Sequence, residues 1–205
     1  MFSIFRRLKT KPQTKNSSFY YRENLVQNAD DLKKFCRYKT EIKTKHKILF
    51  QGKELNKITP KSLENSMGDE SFILNHEPEM PGHVVYFYRK NTELFKLVIQ
   101  VHFFNNTCIL ASTKVTTEAI LTHSQKKKIV SQLLTHYSDI QPPTTDFQLS
   151  FSDEQGNKIF VQDEVYLHIN YIPESLTSKD IDQLLNNTNL GNSKSLNEDM
   201  LDQFI

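Results

Sequence analysis

One pattern is written twice in this chain of 205 residues: a short capped helix followed by three segments of alternating polarity, over 59–115 and again over 122–171. In the first copy Thr59 is placed to cap a helix. Pro60 fills the first helical position, where no amide hydrogen is needed, and Ile58 can staple onto Leu63. Gly68 is the expected stop, because the residue after a helix commonly takes a left-handed backbone. Strands are predicted over 83–88 and 94–104, and Asn105-Asn106 reads as a two-residue hairpin turn into a strand over 107–115. In the second copy Thr122 and Gln125 have capping-box spacing, ahead of Ile129, Val130, Leu133, Leu134 and Tyr137 on one helical stripe. Lys126, Lys127 and Lys128 fall on the opposite, solvated side. Phe147, Leu149 and Phe151 then alternate into a strand, followed by strands over 158–162 and 165–171.

Two αβββ units of this kind predict an α+β fold: antiparallel β-meander sheets with the 59–67 and 122–137 helices on one face. The equal offsets between the copies fit duplication of one unit, and their weak identity fits two convergent meanders. The chain divides into a basic arm (1–18), a first unit (19–117), a second unit (118–190) and an acidic tail (191–205). Leu32 and Phe35 predict a short helix over 30–38. The lysine-alternating stretch 41–47 reads as an edge strand or linker. A further short helix is expected over 178–186, and Met200, Leu201, Phe204 and Ile205 share helical spacing in the tail.

Strand alternation also assigns the two faces. Phe95, Leu97, Ile99, Val101 and Phe103 point to the core, with Val165, Leu167, Ile169 and Tyr171 doing the same on the last strand. Lys96, Gln100, His102, Tyr166, His168 and Asn170 then fall on the outward face. Their mixture of aromatic and polar groups suits a protein partner, so these six are the candidate partner-binding residues.

The net charge of +2 hides an asymmetry: residues 1–53 carry 14 basic and four acidic side chains. An alternative reading is therefore nucleic-acid binding through Arg6, Arg7, Lys9, Lys11 and Lys15. No apolar run reaches the roughly 18 residues of a membrane span, and no early apolar stretch of about 7–15 residues marks a signal peptide. Cys36 and Cys108 lack metal spacing and fit reduced thiols. The expectation is a cytoplasmic protein.

Catalytic chemistry is weakly represented. His102 and His168 could share a zinc ion if their strands were adjacent, but no third ligand matches them; exposed strand histidines are the simpler reading. Asp153, Glu154 and Asp163 could suit metal-assisted hydrolysis, while Asp153-Glu154-Gln155-Gly156-Asn157 is also ordinary turn chemistry. Neither a Gly-x-Ser-x-Gly elbow nor a glycine-rich phosphate loop is present. The expectation is a non-enzymatic interaction module of inhibitor, immunity or adaptor type, with no catalytic residue, metal or cofactor. A hydrolase whose site the linear sequence hides is the further alternative.

Gly52-Lys53-Glu54-Leu55 and Ile58-Thr59-Pro60 with Leu63, Met67 and Gly68 precede a meander bearing Tyr86, Tyr88 and Phe103. This arrangement resembles the small α+β repeat of the beta-lactamase-inhibitor-protein-like fold, which outer-membrane assembly lipoproteins of the SmpA/OmlA type also carry. The resemblance spans roughly 47–117, with a second copy over 118–172. It implies a non-enzymatic sheet that holds another protein. The chain departs from the lipoproteins in showing neither a signal peptide nor a lipidated cysteine near its start, so their envelope role does not transfer.

Overall fold

The computed structural model describes residues 17–36, 42–76, 80–138 and 147–176. Both predicted caps form. Helix α3 (Pro60–Met67) starts with a reciprocal box in which the Thr59 hydroxyl accepts from the Ser62 amide at 3.1 Å and the Ser62 hydroxyl accepts from the Thr59 amide at 2.9 Å. Gly68 ends it at φ 81. Helix α4 (His123–Tyr137) repeats the device with Thr122 and Gln125. Capping of this kind satisfies amides that the first helical turn leaves without partners.

The strands run as two meanders. β4 (Phe72–Asn75), β5 (His83–Asn91), β6 (Lys96–Phe104) and β7 (Thr107–Thr116) follow α3, and β8 (Leu149–Ser152), β9 (Lys158–Asp163) and β10 (Leu167–Ile172) follow α4. Asn105 and Asn106 turn the β6–β7 hairpin at φ 48 and 65, as their tolerance of positive φ predicts. The meanders join where β10 pairs antiparallel with β7, from Leu167 opposite Val115 to Tyr171 opposite Ala111. A two-residue edge strand, β1 (Ile42–Lys43), lies parallel to β8 and completes one eight-stranded sheet. The fold is α+β, with a mainly antiparallel sheet.

Four elements are additions to the predicted pattern. β4 is an edge strand, and a separate hairpin of β2 (Leu49–Phe50) and β3 (Lys53–Glu54) turns at Gln51 and Gly52, both at positive φ. Helix α1 (Ser17–Glu23) precedes α2 (Ala29–Cys36), the short helix expected around Leu32 and Phe35. The expected helix over 178–186, the linker and the acidic tail lie outside the described residues.

Both faces of the sheet are covered. One packs Ile99, Val101, Val115, Val161 and Leu167 against Leu63, Ile129, Val130 and Leu134 of the two capped helices. On the other face, Val26, Leu32 and Phe35 pack against Leu110, Phe160 and Ile172. A bulge between β6 and β7 sets Cys108 opposite Phe103 and Leu110 opposite His102. The residue skipped between them, Ile109, packs with Leu110 in the second core while Cys108 packs in the first. Val165, expected in the core, is 59% exposed because β10 begins at Leu167; a turn closed by the Glu164 amide on the Tyr166 carbonyl precedes it.

Ile99 is buried under the capped helices, and shortening it leaves a cavity. Ile99→Ala is expected to destabilise the protein by roughly 2–5 kcal/mol, read as a lower midpoint in urea unfolding at unchanged slope.

Candidate functional site

The outward face inferred from alternation is closed by the chain itself. Gln100, His102 and Asn170 are buried and His168 is half-buried, while Lys96 and Tyr166 stay exposed. The cause is the segment carrying α1 and α2, which lies across this face. Gln100 clamps it with both ends of its amide: Nε2 donates to the Glu23 carbonyl at 2.6 Å, and Oε1 accepts from the Leu25 amide at 3.1 Å. Lys114 pairs with Glu23 beside that clamp. Further along the same row, the Ser112 hydroxyl donates to Asn170 Oδ1 at 2.7 Å. Three of the six candidate residues are thus closed off from a partner in this conformation, and His168 is partly covered. Arg6, Arg7, Lys9, Lys11 and Lys15 lie outside the described residues.

Beneath the same segment runs a row of imidazoles. Asn24 Nδ2 lies 2.9 Å from His76 Nε2, His76 Nδ1 lies 2.9 Å from His83 Nδ1, and His83 Nε2 lies 3.2 Å from His102 Nδ1. Asn24 fixes the direction of this row. Its Oδ1 accepts from the Val26 amide, so Nδ2 is the donor toward His76. Each neutral imidazole has one donor and one acceptor nitrogen, so His76 donates to His83 and His83 to His102. The last proton sits on His102 Nε2, which is buried without a hydrogen-bond partner. Burial pushes His83 down to about 3 and holds His102 well below its ordinary range, with neighbouring histidines adding to both. Burial, then the charge of Lys114, lowers His168 to about 4.

The constellations considered for catalysis do not assemble. β7 lies between β6 and β10, so His102 and His168 sit on strands that are not adjacent. The Asp153 carboxylate accepts from the amides of Ile48, Gln155 and Asn157, which is the turn role, while Asp163 pairs with Lys126 on α4. Burial pushes the Cys108 thiol up to about 12, away from nucleophilic thiolate. Among the described residues no three His, Cys, Asp or Glu side chains are arranged to hold a metal ion.

What the fold does assemble is one end of the sheet. Register places Asn91 opposite Lys96, Lys96 opposite Thr116, and Leu167 opposite both Val115 and Asp163. The loops 92–95, 117–122 and 164–166 therefore share that end. They carry Leu94, Ile120, Val165 and Tyr166, four of the six large apolar side chains exposed among the described residues. Each loop also exposes a carboxylate: Glu93, Glu118 and Glu164. Local hydrogen bonds shape the loops. The Thr92 hydroxyl accepts from the Phe95 amide at 2.9 Å, and the Thr117 hydroxyl accepts from the Ala119 amide at 3.1 Å.

Next to this end, a groove of about 420 Å³ opens between α1 and the sheet, lined by Phe19, Glu23, Arg89, Lys96, Lys114 and Tyr166. The Arg89 guanidinium lies 4.0 Å from the Phe19 ring centre, and the Lys114 ammonium 4.7 Å from that of Tyr166. Lys96 reaches Glu118 at 2.7 Å, tying the groove to the loop end. Lys96 and Tyr166 are the two outward-face candidates that this site retains. Leu94 and Ile120 were missed because each is an isolated apolar residue in a loop, and only strand register brings them together.

No protein-family model matches the sequence, and no curated protein matches it significantly. Among solved structures, a cysteine-rich secretory protein from Staphylococcus aureus subsp. aureus Mu50 is similar at TM-score 0.30 and 10% identity. The match covers 67% of this chain and 52% of that one, so the chain spans about half the length of that protein.

The buried histidines make stability depend on pH. They are neutral in the folded protein, whereas in the unfolded chain they bind protons below about pH 6.5. Their contribution is fully present above about pH 6.5 and is lost as pH falls toward the lowered folded values of His83, His102 and His168. Unfolding at pH 5 is expected to take up about two to three protons from these groups. The measurement is urea stability from pH 7.5 to 4.5, and His83→Gln should remove about one proton from the slope.

Proposed function

We propose that this protein is a non-enzymatic interaction module that docks another protein through the loop end of its sheet. The observation that carries this reading is the gathering of Leu94, Ile120, Val165 and Tyr166 on three loops at one end. Exposed apolar side chains scattered singly need no explanation, whereas a shared patch rimmed by charge is the composition of a protein-docking surface. Glu93, Glu118 and Glu164 ring the patch, so the partner that fits presents an apolar surface bordered by basic residues. The groove beside it, where Lys96 pairs with Glu118 and Lys114 with Glu23, leaves the Arg89 guanidinium over Phe19 as the group to meet an acidic side chain of the same partner.

Two further features support a binding role over catalysis. Both ring nitrogens of His83 are engaged within the imidazole row, and Asp153 is spent on its turn. The helix-led meanders support the resemblance to the beta-lactamase-inhibitor-protein-like repeat and its implication of a sheet that holds another protein. Inhibitor, immunity and adaptor proteins are the classes this reading proposes. A reducing cytoplasm is the proposed setting. Among the described residues no helix is long and apolar enough to cross a membrane.

The test is the double variant Leu94→Asp with Val165→Asp, assayed for binding to the partner captured from the native host. Affinity is expected to fall at least about tenfold, while stability stays within about 0.5 kcal/mol per substitution because both side chains are exposed. Undiminished binding by this variant, together with loss of binding on substituting the exposed α4 residues Lys127 and Gln132, would move the docking surface to the opposite side.

A further inference from the structure

The two faces of the sheet are built from different materials. Under the capped helices it presents Ile99, Val101, Val115, Val161, Leu167 and Ile169. Under residues 17–36 it is mixed: Leu110, Phe160 and Ile172 meet Val26, Leu32 and Phe35, and beside them lie Gln100, His102, Ser112, Lys114 and Asn170, all buried. His102 Nε2 and Asn170 Nδ2 have no hydrogen-bond partner there, and neither do His168 Nδ1 and Ser150 Oγ on the same face. A buried polar atom without a partner carries a desolvation cost that vanishes when water reaches it. Closing the polar part of this face is therefore less favourable than closing the apolar part, and 17–36 is the segment whose removal would hydrate it.

We propose that residues 17–36 form a displaceable cover, latched by the Asn24–His76–His83–His102 row, and that protonation of His83 and His102 releases it from the sheet. The geometry supplies the mechanism. His83 Nδ1 and His102 Nδ1 are the acceptor nitrogens of their contacts, at 2.9 and 3.2 Å. A proton added to either one turns N–H···N into two N–H groups facing each other, so the contact becomes repulsive. On His83 the added proton breaks the His76–His83 link that backs His76, the partner of Asn24 on the cover; on His102 it breaks the His83–His102 link one contact further along the row.

Among the described residues, the charged groups on the elements around the row are committed elsewhere. On the cover, Glu23 pairs with Lys114 of β7, Asp30 with Lys33 and Asp31 with Lys34. Arg89 of β5 lies over Phe19, and His168 of β10 lies against Lys114, a different row from His102. Opposite His102 the flanking strands place Val85 and Leu110. A cation formed on His102 thus meets apolar neighbours and its own row. Release would uncover Gln100, His102, Ser112 and Asn170 and open the groove that Phe19 and Glu23 line, while the apolar residues of the loop end lie on other segments.

Hydrogen exchange of the full chain at pH 7.5 and 5.5, corrected for the intrinsic rate, tests it. Two histidines that titrate near 6.5 only in the open form raise the opening equilibrium by about a hundredfold between these conditions. Amides of residues 20–36 are expected to exchange through a local opening that grows by about that factor, while amides of β6, β7 and β10 exchange only with global unfolding and stay better protected at both pH values. His83→Gln combined with His102→Gln keeps neutral polar groups and should abolish the pH step in 20–36. Cover amides that exchange with the same opening free energy as the central strands, or no change in the cover between the two pH values, would overturn the proposal. The wild-type comparison decides alone if the double variant fails to fold.

Discussion

The antiparallel pairing of β7 with β10 is the contact on which the rest of this structure depends. Each helix-led meander buries only part of its own apolar face. Pairing Val115 with Leu167 and Ala111 with Tyr171 turns two small sheets into one, with a core shared by α3 and α4. The same register brings the 117–122 and 164–166 loops to one end and sets Ser112 against Asn170. A change of one residue in this pairing would exchange the two faces of β10 and disperse both features.

The sheet divides its labour by face and by end. The face under the capped helices is apolar; the face under α1 and α2 combines a smaller apolar core with a row of polar side chains closed by specific hydrogen bonds. Gln100 is central to that closure, since its amide substitutes for a backbone partner at both Glu23 and Leu25. Such a clamp orders the turn after α1, which in turn positions Asn24 on the imidazole row and Glu23 on Lys114. The loop end carries the exposed apolar groups, and the groove beside it holds the cations.

Features that depend on neighbouring residues were legible in the sequence. The Thr59 and Thr122 caps, the Gly68 stop and the Asn105-Asn106 turn each follow from the chemistry of a few adjacent positions. The face carrying His102, Gln100 and Asn170 was read correctly as distinct from the apolar core but assigned to solvent. Alternation reports polarity and says nothing about what lies on top. Leu32 and Phe35 at helical spacing were the signal that an amphipathic helix needed a surface to cover. Val165 was placed in the core because the alternation runs two residues beyond the start of β10. The imidazole row depends on three separate segments meeting in space, which no local pattern encodes.

If β7–β10 pairing unites the two meanders, they must unfold together. A urea titration followed by nuclear magnetic resonance reads this directly, using signals from Ile99 in the first meander and Ile159 and Ile169 in the second. One midpoint and one slope are expected for all three residues. Earlier loss of the Ile159 and Ile169 signals, with Ile99 still native, would contradict it and show two independently stable units placed side by side.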